Sequence, residues 1–386
     1  MSSVIVASDK FKGTLSSDEV AAAVSAGVRR VRPDVVVGSV PVADGGEGTL
    51  AAAIAAGFEL VPLTATGPTG EPVRSGFARR GEIAVVELAH VSGLIRLPGA
   101  EPAPMTATSR GAGELVAAAL DSGCTWVILG IGGSASTDGG AGLVRALGAR
   151  LFDRNGEDLA EGGAALAAAA SLDVTALLRR LAGVEVVIAC DVDNPLTGPA
   201  GAAATYGAQK GADAAQIDEL DTALGRWADI VTRETGRDLR DAPGAGAAGG
   251  VGFAARALLG AELRPGIDLV LDLAGFQQQL SGVDLVITGE GALDEQTLHG
   301  KAVVGVAAAA GAAGIPVVAV CGTNRLEPAR LRQAGIVAAY ALTDLEPDVR
   351  RCIADPTPLL SRLGERIAVD HLRRSPTMSA TERGIA

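Results

Sequence analysis

The chain has 386 residues, of which 48% are hydrophobic and 20% are charged. This length fits two domains or one large domain, and the apolar content is ample for sizeable cores. The formal net charge of −12 argues against a surface for nucleic acid or for an anionic membrane.

Apolar runs alternate with alanine-rich helical patterns along the chain. The first strand is predicted at residues 4–8, and the capping-box pair Ser16 and Glu19 predicts the helix that follows. Further strands are predicted at residues 35–40, 83–88, 126–131, 184–190, 284–289 and 316–322, and helices at 111–121 and 213–234. This order predicts an α/β protein with largely parallel sheets, whose functional loops follow the carboxyl ends of strands. Because aromatic residues make up only 3%, we expect closely packed cores of Ala, Val and Leu.

The cysteines and the first residues of the chain indicate in which cellular compartment we expect the protein. The four cysteines are far apart and have no zinc-binding spacing, so we expect reduced thiols. Met1 leads directly into the first strand, and the longest apolar stretches are interrupted by glycine. We therefore expect no signal peptide, no membrane span and a cytoplasmic protein. The polar tail at residues 373–386 is expected to be disordered.

The segment GIGGSASTDGG at residues 130–140 predicts an anion site. It follows a predicted strand and opens a helix, where free backbone N–H groups favour an anion. Gly132 and Gly133 permit close approach of a ligand to the backbone. A tight turn alone would explain the glycines, but not the polar side chains of Ser134, Ser136 and Asp138.

Asp191 and Asp193 follow the predicted strand at residues 184–190. Two carboxylates at a strand end suit Mg²⁺ coordination, or one base together with one metal ligand. The alternative is an Asx turn before Pro195, which uses Asn194 and leaves Asp191 unexplained.

Two further segments carry candidate polar groups. Asp44 stands before Gly45 and Gly46 at the start of a predicted helix, where helix capping is an equally good interpretation. Glu290 ends an otherwise apolar strand and is expected to face a cleft, whereas Asp294 also resembles a helix N-cap.

Lysine is rare in this chain, since only four of the 33 basic residues are lysine. All four lie in short polar segments with glycine: Lys10, Lys12, Lys210 and Lys301. A compact, mobile ammonium can follow a transferring phosphoryl group or meet a carboxylate as a point charge. Chance retention would explain any single lysine, but the shared setting of all four favours a common use. Lys10 is the exception that an ordinary surface charge also explains.

The absence of several known catalytic motifs limits the classes of reaction that the sequence supports. The sequence has no P-loop, no protein-kinase motif set and no nucleophile elbow, and its three histidines have no neighbouring Cys or Ser motif. The remaining lysines, carboxylates and anion-binding backbone suit phosphoryl transfer. One rival is an NAD-dependent hydroxy-acid dehydrogenase, from the weak G-x-G-x-x-A match at Gly130, Gly132 and Ala135 with Asp153 downstream.

The motifs and their order resemble those of the type I glycerate kinases. They are SDKFKGTLS, PVADGGEGT, TSRGAGEL, GIGGSASTDGGAG, ACDVDNPLTGPAGAAATYGAQKGA, PGAGAAGGVG and DLVITGEGALDEQTLHGK, and the resemblance runs from about residue 3 to about residue 370. It implies ATP-dependent and Mg²⁺-dependent phosphorylation of D-glycerate, usually to 2-phosphoglycerate. It also implies two α/β domains with the active site in the cleft between them. The expected parts are a discontinuous Rossmann-like domain at 1–66 and 285–372 and an inserted domain at 67–284.

The residue patterns and the resemblance together give expected roles for individual residues. The expected catalytic residues are Asp191, Lys12 and Lys301, and the expected metal ligands are Asp191 and Asp193. The expected substrate-binding residues are Asp44, Gly45, Gly46, Glu290 and Asp294. The expected ATP-binding residues are Gly132, Gly133, Ser134, Ser136, Asp138, Asn194 and Lys210. Ala292 and Val303 depart from the family pattern without removing a charged group. We expect a monomer or homodimer with small-molecule partners; a catalytically silent metabolite sensor on the same fold is a second rival.

Overall fold

A computed structural model describes residues 2–43, 45–298 and 302–372. The chain divides into two compact units. Unit 1 consists of the residues up to Val42 and those from Gly275 onward, and unit 2 runs from Ala43 to Ala274.

Strands alternate with helices in the described residues. The strands are β1 (Ser3–Ser8), β2 (Val36–Ser39), β3 (Glu59–Thr66), β4 (Pro72–Arg80), β5 (Ile83–Glu87), β6 (Trp126–Gly130), β7 (Arg150–Phe152), β8 (Ser171–Asp173), β9 (Glu185–Ala189), β10 (Glu262–Arg264), β11 (Leu285–Leu293), β12 (Val317–Asn324) and β13 (Ile336–Ala341). All the strands predicted from apolar runs are confirmed to within a few residues, except that the strand at 284–289 extends further, to Leu293.

The helices are α1 (Ser17–Val31), α2 (Thr49–Ala55), α3 (Ala89–Ser92), α4 (Arg110–Asp121), α5 (Ala141–Ala146), α6 (Thr175–Arg180), α7 (Ala202–Tyr206), α8 (Ala214–Thr235), α9 (Ala247–Leu258), α10 (Gly266–Leu273), α11 (Phe276–Gln279), α12 (Ala302–Ala312), α13 (Pro328–Gln333), α14 (Val349–Ala354) and α15 (Pro356–His371). Short 3₁₀ turns lie at Leu94–Arg96, Pro98–Ala100, Ala164–Ala168, Ala208–Lys210, Glu295–Leu298 and Leu342–Asp344. The capping box predicted at Ser16 and Glu19 is present at the start of α1. Within the described part of the chain, no helix is long and apolar enough to cross a membrane.

Unit 1 is built on a five-stranded sheet in the order β2-β1-β11-β12-β13, and every neighbouring pair is parallel. Numbered within the unit, this is the doubly wound order 2-1-3-4-5, in which the strand order reverses between β1 and β11. Ligands of such sheets bind beyond the carboxyl ends of the strands at that reversal. The segments after β1 and at the end of β11 carry Lys12 and Glu290.

Small residues let the helices of unit 1 approach closely. A methyl group added at Gly27 on α1 would lie 1.9 Å from the carbonyl oxygen of Ser361 on α15. One added at Gly364 on α15 would lie 2.3 Å from the carbonyl oxygen of Val24. Real Cβ atoms do not come this close to backbone, so both glycines are required by the packing. The close packing expected from the low aromatic content is present here.

Unit 2 is built on a six-stranded sheet in the order β10-β9-β6-β5-β4-β3. Strands β5, β6, β9 and β10 are parallel, whereas β3 and β4 extend one edge in antiparallel fashion. A separate two-stranded ribbon joins β7 and β8. The sheets are therefore mainly parallel, as predicted, with an antiparallel edge that the sequence pattern did not indicate.

The unit boundaries differ from those expected from the sequence. The first was expected after residue 66 and lies between Val42 and Ala43. Residues 59–66 form β3, which pairs along its whole length with β4 of unit 2. The second was expected after residue 284 and lies between Ala274 and Gly275. The tail at residues 373–386, predicted to be disordered, lies outside the described residues.

Candidate active site

The carboxyl ends of the parallel strands of unit 2 surround a cavity of about 240 Å³. Strands β6 and β9 end at Gly130 and Ala189, which pair with each other, so the loops after them begin side by side. We call this cavity the glycine cavity. It contains seven of the residues predicted to bind substrate or ATP or to act in catalysis: Gly45, Gly46, Gly132, Gly133, Ser134, Asp191 and Lys210.

Two glycine loops contact each other through their backbones in the wall of the glycine cavity. A methyl group added at Gly132 would lie 2.6 Å from the Cα of Gly46, and one added at Gly130 would lie 2.7 Å from the carbonyl oxygen of Gly45. Gly45 itself has φ +83°, a conformation that side chains rarely adopt. The glycines are therefore needed for the contact between the loops, and they leave backbone exposed to a ligand in the cavity.

Lys210 lines the glycine cavity although it is only 4% exposed. Its Nζ donates hydrogen bonds to Ser134 Oγ at 2.9 Å and to the carbonyl oxygen of Ser136 at 2.5 Å. Burial lowers the pKa of Lys210 from 10.5 to about 7, although the nearby charge of Asp138 opposes this shift. An ammonium group has three donors, so one remains for a ligand beside the two held by these described partners. The lysine is thus aimed at the cavity and is close to its titration point at neutral pH.

Asp138 supports the loop after β6 from behind. The carboxylate is 1% exposed and accepts hydrogen bonds from both the N–H and the Oγ of Ser109, each at 2.8 Å. It also accepts from the N–H groups of Gly140 and Gly142, each at 3.1 Å. Burial raises the pKa of Asp138, and the hydrogen bonds from Ser109 and Gly142 act against that shift. This predicted ATP-binding residue does not line the glycine cavity; Ser136 meets the cavity only through its carbonyl bond to Lys210.

The carboxylates after β9 diverge in their surroundings. Asp191 lines the glycine cavity, and its Oδ1 accepts a hydrogen bond from the N–H of Gly266 at 2.9 Å. Asp191 and Asp193 are both exposed, but Asp193 does not line the cavity. Asn194 bonds the carbonyl of Ala200 and accepts from the hydroxyl of Tyr206 at 2.7 Å, so its side chain holds the loop together. Of these three predicted residues, Asp191 alone faces the cavity.

Unit 1 has its own cavity, of about 440 Å³, at the reversal of its strand order. It is lined by three predicted residues, Lys12, Glu290 and Asp294, and we call it the lysine cavity. Glu290 Oε1 accepts a hydrogen bond from Thr297 Oγ1 at 2.5 Å. Asp294 Oδ1 accepts from the N–H of Gln296 at 2.9 Å, which is the capping interaction that the sequence offered as its alternative role.

Two predicted residues lie outside the described residues: Asp44, expected to bind substrate, and Lys301, expected to be catalytic. Most of the remaining predicted residues line one of the two cavities. Ser136, Asp138 and Asn194 hold the loops of the glycine cavity in place, and Asp193 is exposed outside it.

Several residues in or near the cavities were not predicted from the sequence. Arg325 lines the lysine cavity, as does Lys10, for which the sequence also allowed an ordinary surface charge. Ala248 lines the glycine cavity in a left-handed conformation, with φ +53°. Its motif PGAGAAGGVG was part of the family pattern and was the one available signal. Glu87 is fully buried at the end of β5. Like Glu290 it is an acidic residue at the end of an apolar strand, and that shared position was its one signal in the sequence.

The residues of the G-x-G-x-x-A match are not arranged as in a dinucleotide-binding site. The acidic residue of that match, Asp153, follows β7, which pairs with β8 and is not a strand of the six-stranded sheet. The carboxylate of Asp153 accepts hydrogen bonds from the N–H groups of Asn155 and Glu157, as in a turn. A nucleotide ribose would need that carboxylate at the carboxyl edge of the parallel sheet.

The donors available for Mg²⁺ are few. No group of three or more His, Cys, Asp or Glu side chains within the described ranges is arranged to hold a metal ion. Mg²⁺ in phosphoryl-transfer sites is commonly held by one or two carboxylates together with substrate phosphates and water. The Asp191 carboxylate in the glycine cavity fits that mode of binding.

Comparisons with known proteins agree on one family. The family model described as "Glycerate kinase family" matches residues 4–371. The chain is 45% identical to a glycerate kinase of Bacillus subtilis and 44% identical to a glycerate 2-kinase of Escherichia coli, each over 88% of this chain and 90% of the relative. A crystal structure from Salmonella typhimurium LT2, assigned to glycerate kinase 2, superposes with a TM-score of 0.82 at 41% identity, covering 95% of this chain and 97% of that one.

Proposed function

The chain belongs to the glycerate kinase family, and we propose that it transfers the γ-phosphate of ATP to a hydroxyl of D-glycerate, giving phosphoglycerate and ADP. The observation that supports the assignment of the site is the meeting of Lys210, Ser134 and Asp191 with glycine backbone in one cavity. This set supplies a positive charge, a hydroxyl, a carboxylate and close backbone approach. Phosphoryl transfer needs mainly charge neutralisation and positioning.

The loop after β6 and Lys210 bind the phosphates of ATP in this proposal. Gly132 and Gly133 allow a phosphate to approach the backbone, and the remaining donor of Lys210 meets the transferred group. Ser136 and Asp138 act indirectly, since they hold the loop and the lysine in place. Asn194 acts in the same way on the loop after β9.

Glycerate binds against Gly45 and Gly46, with Asp44 as a further contact. Asp191 takes the proton from the attacking hydroxyl as its oxygen bonds to the γ-phosphorus. The bond from that phosphorus to the bridging oxygen breaks, and ADP leaves. A carboxylate suits this step because the hydroxyl proton is lost only as the new O–P bond forms.

We propose Asp191 as the main protein ligand of Mg²⁺, with Asp193 as an outer ligand. Mg²⁺ supplies charge neutralisation and orientation of the phosphates when it is bound. If Asp191 loses its charge, both its metal-binding and its base role are lost. If Asp193 loses its charge, only Mg²⁺ binding is weakened.

In unit 1 we propose that Lys12, Glu290 and Asp294 contact substrate, and Lys301 remains a proposed catalytic residue. The support for the first three is their shared lysine cavity at the strand-order reversal, where doubly wound sheets bind ligands. Lys12 offers a point charge for a carboxylate, and Glu290 with Asp294 offers acceptors for hydroxyl groups.

We further propose 2-phosphoglycerate as the product, since one similar relative is named glycerate 2-kinase. The four cysteines carry free thiols, which supports a reducing, cytoplasmic location. The oligomer is a monomer or homodimer, which light scattering after size exclusion decides.

The test is a coupled assay of ADP release with Mg-ATP and a series of small hydroxy acids: D-glycerate, L-glycerate, glycolate and lactate. We expect turnover with D-glycerate, and phosphorus NMR of the product distinguishes the 2-phosphate from the 3-phosphate. Binding of D-glycerate and ATP without ADP release would support a silent sensor and contradict the kinase. Reduction of NAD with a hydroxy acid would support the dehydrogenase.

A further inference from the structure

A buried carboxylate, Glu87, supports the glycine cavity from below. Glu87 is the last residue of β5 and is fully buried. In the sheet it pairs with Gly130, the last residue of β6. It therefore lies at the same carboxyl edge from which the loops of the glycine cavity begin.

The partners of Glu87 are backbone N–H groups at the start of α2. Oε2 accepts from the N–H of Leu50 at 2.9 Å, and the N–H of Gly48 lies within 3.3 Å of both carboxylate oxygens. The residue before α2 is Gly48, with φ +106° and no capping side chain of its own. Glu87 therefore satisfies helix-end donors that would otherwise be buried without a partner. His90 Nε2 lies 3.4 Å from the Oε1 of Glu87.

The segment held in this way leads directly into the cavity wall. Gly45 and Gly46, which line the glycine cavity, come just before Gly48. The hydroxyl of Thr49 donates to the carbonyl oxygen of Gly46 at 2.7 Å and joins the two parts of the turn. On its other side Gly46 contacts Gly132 so closely that no Cβ fits between them. The loop is thus clamped between Glu87 and the loop after β6.

We propose that Glu87 is a positioning residue for glycerate. It holds the loop of Gly45 and Gly46 in the position in which the backbone of that loop contacts the substrate. This inference rests on the proposed function of that loop. A residue that serves only the fold would lower stability without a selective effect on one substrate.

The test compares Glu87→Gln with a matched control, Glu114→Gln. Glu114 also bonds a neighbouring segment, through the N–H and Oγ1 of Thr66 at 2.7 and 2.9 Å, but it does not line either cavity. An amide can accept only on its oxygen, so E87Q weakens one of its backbone bonds. We expect the KM for D-glycerate to rise by about tenfold or more in E87Q, the equivalent of one hydrogen bond, while kcat and the KM for ATP stay within about threefold. E114Q keeps all three constants.

Two further measurements keep the outcomes distinct. If E87Q does not fold by circular dichroism, Glu87→Asp, which keeps the charge on a shorter side chain, is expected to show the same selective rise. Hydrogen–deuterium exchange without any substrate is expected to speed up at residues 45–50 in E87Q or E87D and not in E114Q. Unchanged exchange there, an unchanged KM for glycerate, or an equal rise in E114Q overturns the inference. Absence of wild-type turnover contradicts the proposed function instead, and the exchange result still decides the positioning of the loop.

Discussion

Lys210 Nζ lies 2.9 Å from Ser134 Oγ and donates a hydrogen bond to it. This bond fixes a buried lysine to the glycine-rich loop after β6, which belongs to a different part of the chain. Burial of an amine is unfavourable unless its charge is used, since the charged form loses its hydration. Burying Lys210 against this loop therefore lowers the stability of the fold. That cost indicates that the lysine is kept there to bind an anion.

Replacing Lys210 by methionine tests that use. Methionine fills a similar volume without charge, so we expect K210M to fold and to be as stable as the wild type or more so. The lost charge should lower kcat/KM for ATP by about 100-fold or more, on the scale of other electrostatic contacts to a reacting group. Steady-state kinetics and urea denaturation of both proteins measure the two effects. A K210M protein with wild-type kinetics would remove Lys210 from the site.

The pKa of Lys210 predicts how activity depends on pH. The charged form is needed for phosphate, and the pKa in the free protein is about 7. We therefore expect kcat/KM for ATP to fall about tenfold per pH unit above that value, since this constant reports the free enzyme. A bound phosphate raises the pKa of the lysine, so the fall in kcat should begin at higher pH. A kcat/KM that stays flat from pH 7 to 9 would contradict this assignment.

The same shift predicts a trend in stability. Lys210 titrates near 7 when folded and near 10.5 in its ordinary state, so between these values the unfolded chain holds the additional proton. The free energy of unfolding should therefore rise with pH from about 7 to about 10.5, by up to ~1.4 kcal/mol per unit. K210M provides the control, because it lacks this contribution. Urea denaturation of the wild type and of K210M between about pH 7 and 10.5 measures this trend. The midpoint of the wild type should rise relative to that of K210M as the pH rises.

Asp191 and Asp193 offer a matched pair of substitutions at the end of β9. In Asp191→Asn the amide oxygen can still accept from the N–H of Gly266, so the fold should be retained while the negative charge is lost. We expect kcat to fall by about 10²- to 10⁴-fold, the usual contribution of a general base. Asp193→Asn should keep kcat and require more Mg²⁺ for half-maximal rate, as expected of an outer ligand. Equal losses in both variants would mean that the two carboxylates share one role.

The sequence predicted much of the glycine cavity because parallel strands place their carboxyl ends at one edge. Gly132 and Asp191 follow two predicted strands that prove to be neighbours, β6 and β9. Lys210 comes instead from a 3₁₀ turn after α7, and no periodicity could have placed it there. Its rarity as a lysine was the usable signal.

The misplaced features depend on contacts between distant segments. Residues 59–66 read as an ordinary strand, and only the pairing of β3 with β4 assigns them to unit 2. Asp138 was predicted to face a ligand, yet its carboxylate turns inward to Ser109 from a different motif. The position of Glu87 at the end of an apolar strand did not reveal its role, since its partners Gly48 and Leu50 are nearly forty residues away. Sequence patterns indicate whether a segment is a helix or a strand and which of its faces is buried. The orientation of these side chains is set instead by residues that are distant in the sequence.

The contact between the two glycine loops predicts opposite effects for two Gly→Ala substitutions. In Gly132→Ala the new methyl group would lie 2.6 Å from the Cα of Gly46, so backbone must move. We expect a loss of about 1–3 kcal/mol in the free energy of unfolding, together with a higher KM for glycerate. Gly225 lies within α8, and a methyl group added there would meet no described atom within 4 Å, so Gly225→Ala should stabilise the protein by about 0.5–1 kcal/mol and leave the kinetics unchanged. Urea denaturation and initial rates on the same preparations compare them, and a G132A protein as active and stable as G225A would show that the two loops do not depend on each other.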